Sequence, residues 1–278
     1  VKYDEESKNW IKDDTNLEYS YEEQTGRTDT YNEQTGEYGT SRWANAMLDG
    51  NYYVWIPRYA YKIDTNTKYT SQSGESYKID VKFLIGETNK YYDENGNEKE
   101  AKIATSADEI LDTNNTDYYV HPAFTFGEEK LEGLWIGKYE SSDGGNEKVA
   151  IVPNATSLVN INLSTMFTRT RNLSKTNIDA HILKNTEWGA VAYLAQSQYG
   201  RNGTEISVNQ CINFITGAGK TEGANLIYEN STYSEITDEQ RYNGKIGKLS
   251  STTGNVYGIY DMSGGAWEYA MGIYGTNT

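Results

Sequence analysis

The alternation of apolar and polar positions predicts a chain built mostly of short β-strands. We predict strands over residues 52–63, 77–85, 90–98 and 134–139. The first of these segments is dense in β-formers, and Pro57 predicts a break within it because proline donates no ladder hydrogen bond. In the third segment, Asn95-Gly96 predicts a tight hairpin turn.

Helical periodicity is clearest over residues 185–200. Apolar side chains recur there on one face, Asn185 or Thr186 can cap the first turn, and Gly200 can end the helix. Weaker patterns predict further helices at 161–176 and 106–112.

The amino-terminal segment contains a short repeat, Tyr-x-Glu-Gln-Thr-Gly, at residues 21–26 and 31–36. Each copy ends in a turn-forming Thr-Gly pair, which predicts two consecutive hairpin arms. The acidic, aliphatic-poor composition of residues 1–40 leaves disorder as the alternative.

Residues 258–269 read as a short strand at Ile259 and Tyr260, a glycine-rich turn, and a second strand with Trp267. The adjacent Gly264 and Gly265 permit a tight bend that other residues resist. We expect the Trp267 indole to anchor this bend in the core.

The complete string 258–269 resembles the Gly-Leu-Tyr-Asp-Met-Ser-Gly-Asn-Val-Trp-Glu-Trp motif of the formylglycine-generating-enzyme (sulfatase-modifying factor) family. Residues 133–140 are similar to the opening strand of that family, and residues 185–194 are similar to its helix. The resemblance covers about the second half of the chain. It implies an α+β, C-type-lectin-like fold with a mostly antiparallel sheet and one or two helices.

Three regions are therefore predicted. Residues 1–50 form a β-hairpin arm, residues 51–130 form a β-rich subdomain, and residues 131–278 form the lectin-like domain. Family members continue past the Trp-Glu pair into final strands, so we expect the third region to be incomplete at its carboxyl end.

Composition narrows the functional classes. The formal charge of −15 disfavours nucleic acid and anionic membrane surfaces as partners. No apolar run is long enough to span a membrane. The 25 tyrosines and 6 tryptophans, with abundant Asn, Thr and Gly, are typical of exported β-proteins. We expect an extracellular location, on a cell surface or on a phage virion.

Catalytic chemistry finds little support. The resemblance implies two copper-binding cysteines beyond the motif, whereas Cys211 precedes the motif and is the single cysteine. Related sulfoxide synthases use three iron-binding histidines, and this chain has His121 and His181 alone. We therefore expect no copper, no iron and no enzyme activity. A formylglycine-type oxidase is the weakest alternative.

Calcium is the cofactor that the resemblance implies. Matched by position, the ligands are the carbonyls of Ser263, Gly264 and Ala266 with the Glu268 side chain. Oxygen ligands in a tight turn suit Ca²⁺. The alternative is that Glu268 accepts hydrogen bonds from the amides of the turn.

Aromatic side chains are the candidates for ligand contact, namely Tyr52, Tyr53, Trp55, Tyr257, Tyr260 and Tyr269. Structural roles are predicted for Trp135, Trp188 and Trp267. The sequence thus predicts a non-catalytic, surface-displayed protein that binds a carbohydrate or protein, such as an adhesin or receptor-binding protein. The alternative is a structural subunit of a fibre, pilus or phage particle that self-assembles through exposed strand edges.

Overall fold

The chain folds into an α+β structure of mostly antiparallel strands with few helices. The computed structural model describes residues 2–4, 9–11, 31–32, 37–38, 43–71, 74–176, 178–202, 204–208, 217, 226–229, 232–235 and 237–272. The broad fold class predicted from the sequence is therefore confirmed.

Eighteen strands are present in the described residues. They are β1 Lys2–Asp4, β2 Asn9–Ile11, β3 Tyr31–Asn32, β4 Glu37–Tyr38, β5 Asn45–Leu48, β6 Asn51–Pro57, β7 Tyr59–Ser71, β8 Gly74–Phe83, β9 Lys90–Tyr92, β10 Glu98–Glu100, β11 Tyr119–Val120, β12 Thr125–Phe126, β13 Glu129–Lys130, β14 Gly133–Gly137, β15 Ser142–Asp143, β16 Val149–Ala150, β17 Leu226–Glu229 and β18 Thr232–Glu235.

Two sheets form the framework. The larger has the strand order β14-β6-β5-β1-β2, and its pairs are antiparallel except for β1 beside β5. The smaller has the order β11-β7-β8 and is dominated by the long β7–β8 hairpin. The chain passes from one sheet to the other at Arg58, directly after Pro57, so the predicted break is confirmed. The hairpin predicted at Asn95-Gly96 is also confirmed, with β9 paired to β10.

The helices are α1 Ala107–Leu111, α2 Leu163–Arg171 and α3 Asn185–Gln196, with 3₁₀ turns at Pro122–Phe124, Asp238–Gln240 and Gly247–Ser250. All three predicted α-helices exist, but the predicted cap of α3 is wrong. Its N-cap is Lys184, whose backbone N–H donates to the Glu187 carboxylate at 2.7 Å. The helix ends before Gly200 because Ser197 adopts an extended backbone.

One hydrophobic core joins the two sheets to α3. Val54 and Ile56 of β6, Ile136 of β14, Val191 of α3 and Ile259 are all buried in it. This core takes residues from both sides of the boundary predicted at residue 130. The predicted regions 51–130 and 131–278 therefore share a core.

Two sequence predictions concern residues outside the described part of the chain, namely the first repeat copy at 21–26 and Cys211. The second copy is described only at Tyr31 and Asn32, which form β3 and pair with β4. No helix formed by the described residues is both long and apolar enough to cross a membrane.

Candidate functional site

The first half of the 258–269 string is built into a buried polar centre. Tyr260 N–H donates to the Lys138 carbonyl at 2.9 Å, which places this segment beside the end of β14. The Lys138 ammonium is fully buried and donates to Asn45 Oδ1 and to the Val256 carbonyl, both at 2.5 Å. These bonds link β5, β14 and the loop 251–258 at a place where water is excluded.

Gly258 closes this loop against three buried hydroxyl groups. An added Cβ would overlap Ser251 Oγ and would lie 2.5 Å from Thr252 Oγ1 and 2.7 Å from Thr253 Oγ1. The Thr252 hydroxyl in turn accepts the Ile259 N–H at 2.9 Å. Glycine is required here by close approach, because any side chain would displace the hydroxyls.

The glycine-rich turn rests on the Glu140 carboxyl group. Gly264 and Gly265 both have φ +81°, a left-handed conformation that favours glycine. A Cβ on Gly265 would overlap Glu140 Oε1, a buried atom without a hydrogen-bond partner among the described residues. Burial raises the pKa of Glu140 to about 9, although hydrogen bonds from Ser157 and from the Ala266 amide oppose the shift. Asp261 and Glu268 add negative potential.

The second half of the string lies at the surface, so the prediction that Trp267 anchors the bend is wrong. Its indole is 91% exposed, and Trp267 lies in no strand. The bend is held instead by the close fit of Gly265 on Glu140 and by the Ala266 amide. Tyr269 is 54% exposed on the same segment.

This exposed segment is attached to the first turn of α3. Met271 N–H donates to the Leu183 carbonyl and Asn185 N–H donates to the Met271 carbonyl, both at 2.8 Å. Trp188 Nε1 donates to Glu268 Oε2 at 3.1 Å. The partly buried Trp188 therefore fixes the segment, in agreement with its predicted structural role.

A further exposed ring lies at the same end of α3. Phe126 is 61% exposed, and the Lys184 ammonium lies 4.6 Å from its ring centroid. We call Phe126, Trp188, Trp267 and Tyr269 the aromatic patch. The patch combines ring faces with a carboxylate acceptor at Glu268 and an ammonium donor at Lys184.

The other predicted contact residues are less exposed. Tyr260 is 2% exposed and packs on Tyr139, so its prediction as a ligand contact is wrong: it lies on the inward side of its segment. Tyr52 and Tyr53 pack against the same small core, and Tyr257 is partly buried. Trp55 and Trp135 are cross-strand partners whose rings lie 5.0 Å apart, consistent with a structural role for Trp135.

The two histidines lie in different environments. His121 is buried against the rings of Tyr59, Tyr61, Phe124 and Tyr193, and burial lowers its pKa to about 3. His181 lies near the start of α3 between Asp179 and Glu187. Sequence reasoning missed this second arrangement, although the His-x5-Glu spacing across a helix start was a usable signal.

The predicted calcium ligands remain a prediction. Ser263, Gly264, Ala266 and Glu268 lie on one turn, and the Glu268 carboxylate is already bonded to Trp188. Within the residues that the structure describes, no group of three or more His, Cys, Asp or Glu side chains is arranged to hold a metal ion. Glu140 Oε1 lies buried beneath this turn without a hydrogen-bond partner among the described residues.

Comparison with known proteins yields no assignment. The chain matches no protein-family model, and no curated protein matches it.

Proposed function

We propose that this chain is a non-catalytic ligand-binding module, displayed on a cell or phage surface, that holds a carbohydrate or protein on its aromatic patch. The observation that carries the proposal is the exposure of Trp267 and Tyr269 on a segment fixed to α3. A contiguous exposed apolar patch marks an interaction site, and rigid Trp and Tyr rings are effective contact residues.

The chemistry of the patch suits a sugar in particular. Apolar ring faces can stack on the C–H face of a pyranose, while Glu268 and Lys184 supply a hydrogen-bond acceptor and donor beside them. The formal charge of −15 disfavours strongly anionic ligands. We therefore propose neutral glycans as the first class to test.

A glycan array with the full chain tests the proposal, followed by titration of any hit. The double variant Trp267→Ala/Tyr269→Ala should lose about tenfold or more in affinity, since each aromatic contact contributes about 0.5–1.5 kcal/mol beyond its area. Tyr92→Ala is the matched control, because Tyr92 is 60% exposed on β9 and does not belong to the aromatic patch. Equal binding by wild type and double variant would refute the patch as the site.

The scaffold that we propose is C-type-lectin-like. Three features support it: the motif resemblance, the position of Tyr260 beside β14, and the packing of α3 on the core. We also propose that Ca²⁺ binds the turn around Gly264, where Asp261 and Glu268 add negative potential. An unchanged melting temperature after EDTA treatment would contradict the calcium proposal without affecting the ligand proposal.

A fibre subunit is the second candidate. The observation that favours it is the parallel contact of β1 with β5, through the single pair Lys2 and Met47, because such a strand is easily supplied by another copy. Light scattering at high concentration tests this candidate. A monodisperse monomer for the full chain would count against it.

A further inference from the structure

His181 lies between two carboxylates. Its Nδ1 is 3.0 Å from Asp179 Oδ2, and its Nε2 is 3.2 Å from both carboxylate oxygens of Glu187. A neutral imidazole carries one N–H and one lone pair, so it can donate to only one of these groups. The imidazolium donates to both. The geometry therefore selects the protonated ring.

The surrounding charges act in both directions: the Glu187 and Asp179 carboxylates favour the imidazolium, whereas the Lys184 ammonium lowers the pKa of His181. Arg171 of α2 pairs with Asp179, and the Lys184 ammonium pairs with Glu187 at 2.8 Å. The hydrogen bond to Glu187 raises the pKa of His181 against the effect of burial. Burial disfavours the charge on Glu187, but hydrogen bonds from His181 and Lys184 outweigh it and hold the pKa of Glu187 at about 2.

Glu187 connects His181 to the aromatic patch. Its carboxylate, which is buried, accepts the Lys184 N–H that begins α3. Leu183 and Asn185, the neighbours of Lys184, are the two residues whose backbones bind Met271. A change in the position of Glu187 therefore acts on the attachment point of the segment that carries Trp267 and Tyr269.

We propose that His181 is a proton-controlled latch: the imidazolium, held between Asp179 and Glu187, fixes the start of α3 against residues 268–272, and its deprotonation loosens that segment. The stabilisation of this segment by His181 is complete below the ordinary pKa of histidine. It is lost as pH rises through the higher pKa that His181 has in the folded state. The consequence for ligand binding rests on the proposed function, whereas the latch itself does not.

Hydrogen exchange of the full chain, corrected for intrinsic rates, tests the latch without any ligand. Protection of the Met271 amide should fall between about pH 5 and about pH 9, with the midpoint at the pKa of His181 measured by NMR. This protection should fall about tenfold for each unit by which the pKa of His181 is higher in the closed segment than in the open segment. The His121 resonance is the internal control, because a group with a pKa of about 3 does not titrate in this range.

Two variants make the test decisive. His181→Gln should show Met271 protection that no longer depends on pH. Asp179→Asn keeps the Glu187 contact but removes one carboxylate, so it should move the midpoint to lower pH. The proposal is overturned if wild-type protection is constant across the range, or if Asp179→Asn leaves the midpoint where it was. Failure of glycan binding would leave both of these results unchanged.

Discussion

Glu140 offers the sharpest test of how the turn at Gly264-Gly265 is supported. Its Oε1 is buried under Gly265, and burial is the main reason that its pKa is about 9. The side chain is therefore a neutral carboxylic acid at pH 7. Glu140→Gln replaces it with a neutral group of nearly the same shape. The amide retains an acceptor for the Ser157 hydroxyl.

Proton linkage gives the direction and the magnitude of the expected change in the free energy of unfolding. Between the ordinary pKa of 4.5 and the folded value of about 9, the native state binds more protons than the unfolded chain. The free energy of unfolding of wild type therefore falls with rising pH, by at most about 1.4 kcal/mol per pH unit from this group. At pH 7 the accumulated loss is about 3 kcal/mol. The variant does not titrate and avoids this loss.

Urea unfolding of both proteins in the presence of EDTA measures the difference. We expect similar stabilities near the ordinary pKa of glutamate and an advantage for Glu140→Gln that grows up to about 3 kcal/mol at neutral pH. Glu129→Gln, at an exposed position of β13, is the control and should follow wild type. Parallel stability curves for Glu140→Gln and wild type would refute the assignment of a buried neutral acid.

Two further predictions concern packing. Gly258→Ala should lower the free energy of unfolding by about 2–4 kcal/mol in thermal or urea unfolding, because the added methyl group displaces buried hydroxyls and disturbs their hydrogen bonds. The control Gly272→Ala, where an added Cβ would meet nothing within 4 Å, should cost under about 1 kcal/mol. Equal effects of the two substitutions would contradict the close approach at Gly258. Gln198→Ala should lower stability by about 1–3 kcal/mol and promote association in light scattering, because the Gln198 amide accepts from Val81 N–H at 3.2 Å and donates to Val81 C=O at 2.7 Å, closing the edge of β8. A variant that stays monomeric and fully stable would show that this edge needs no cover.

The predictions that held depend on local signals. Pro57 breaks a strand because its ring excludes a ladder hydrogen bond, and Gly96 accepts φ +77° in its hairpin. The periodicity of α3 gave its buried face, including Val191 and Leu194. Each of these effects acts within a few residues, so the amino-acid sequence alone specifies it.

The predictions that failed depend on contacts between distant segments. The burial of Tyr260 requires β14 beside it, and the bond from Lys138 to Asn45 joins residues 93 positions apart. No periodicity in the chain indicates these two contacts. The cap of α3 is a different case, because Lys184 is capped by Glu187 only three residues further along, a local signal that the sequence prediction missed.

The string 258–269 changes its role halfway along. Gly258 and Tyr260 face inward. There is no room for a side chain at Gly258, and the ring of Tyr260 is buried. After the bend at Gly265, Trp267 and Tyr269 face solvent. This asymmetry is what we expect of a segment whose first half anchors it in the core and whose second half presents aromatic rings to a ligand.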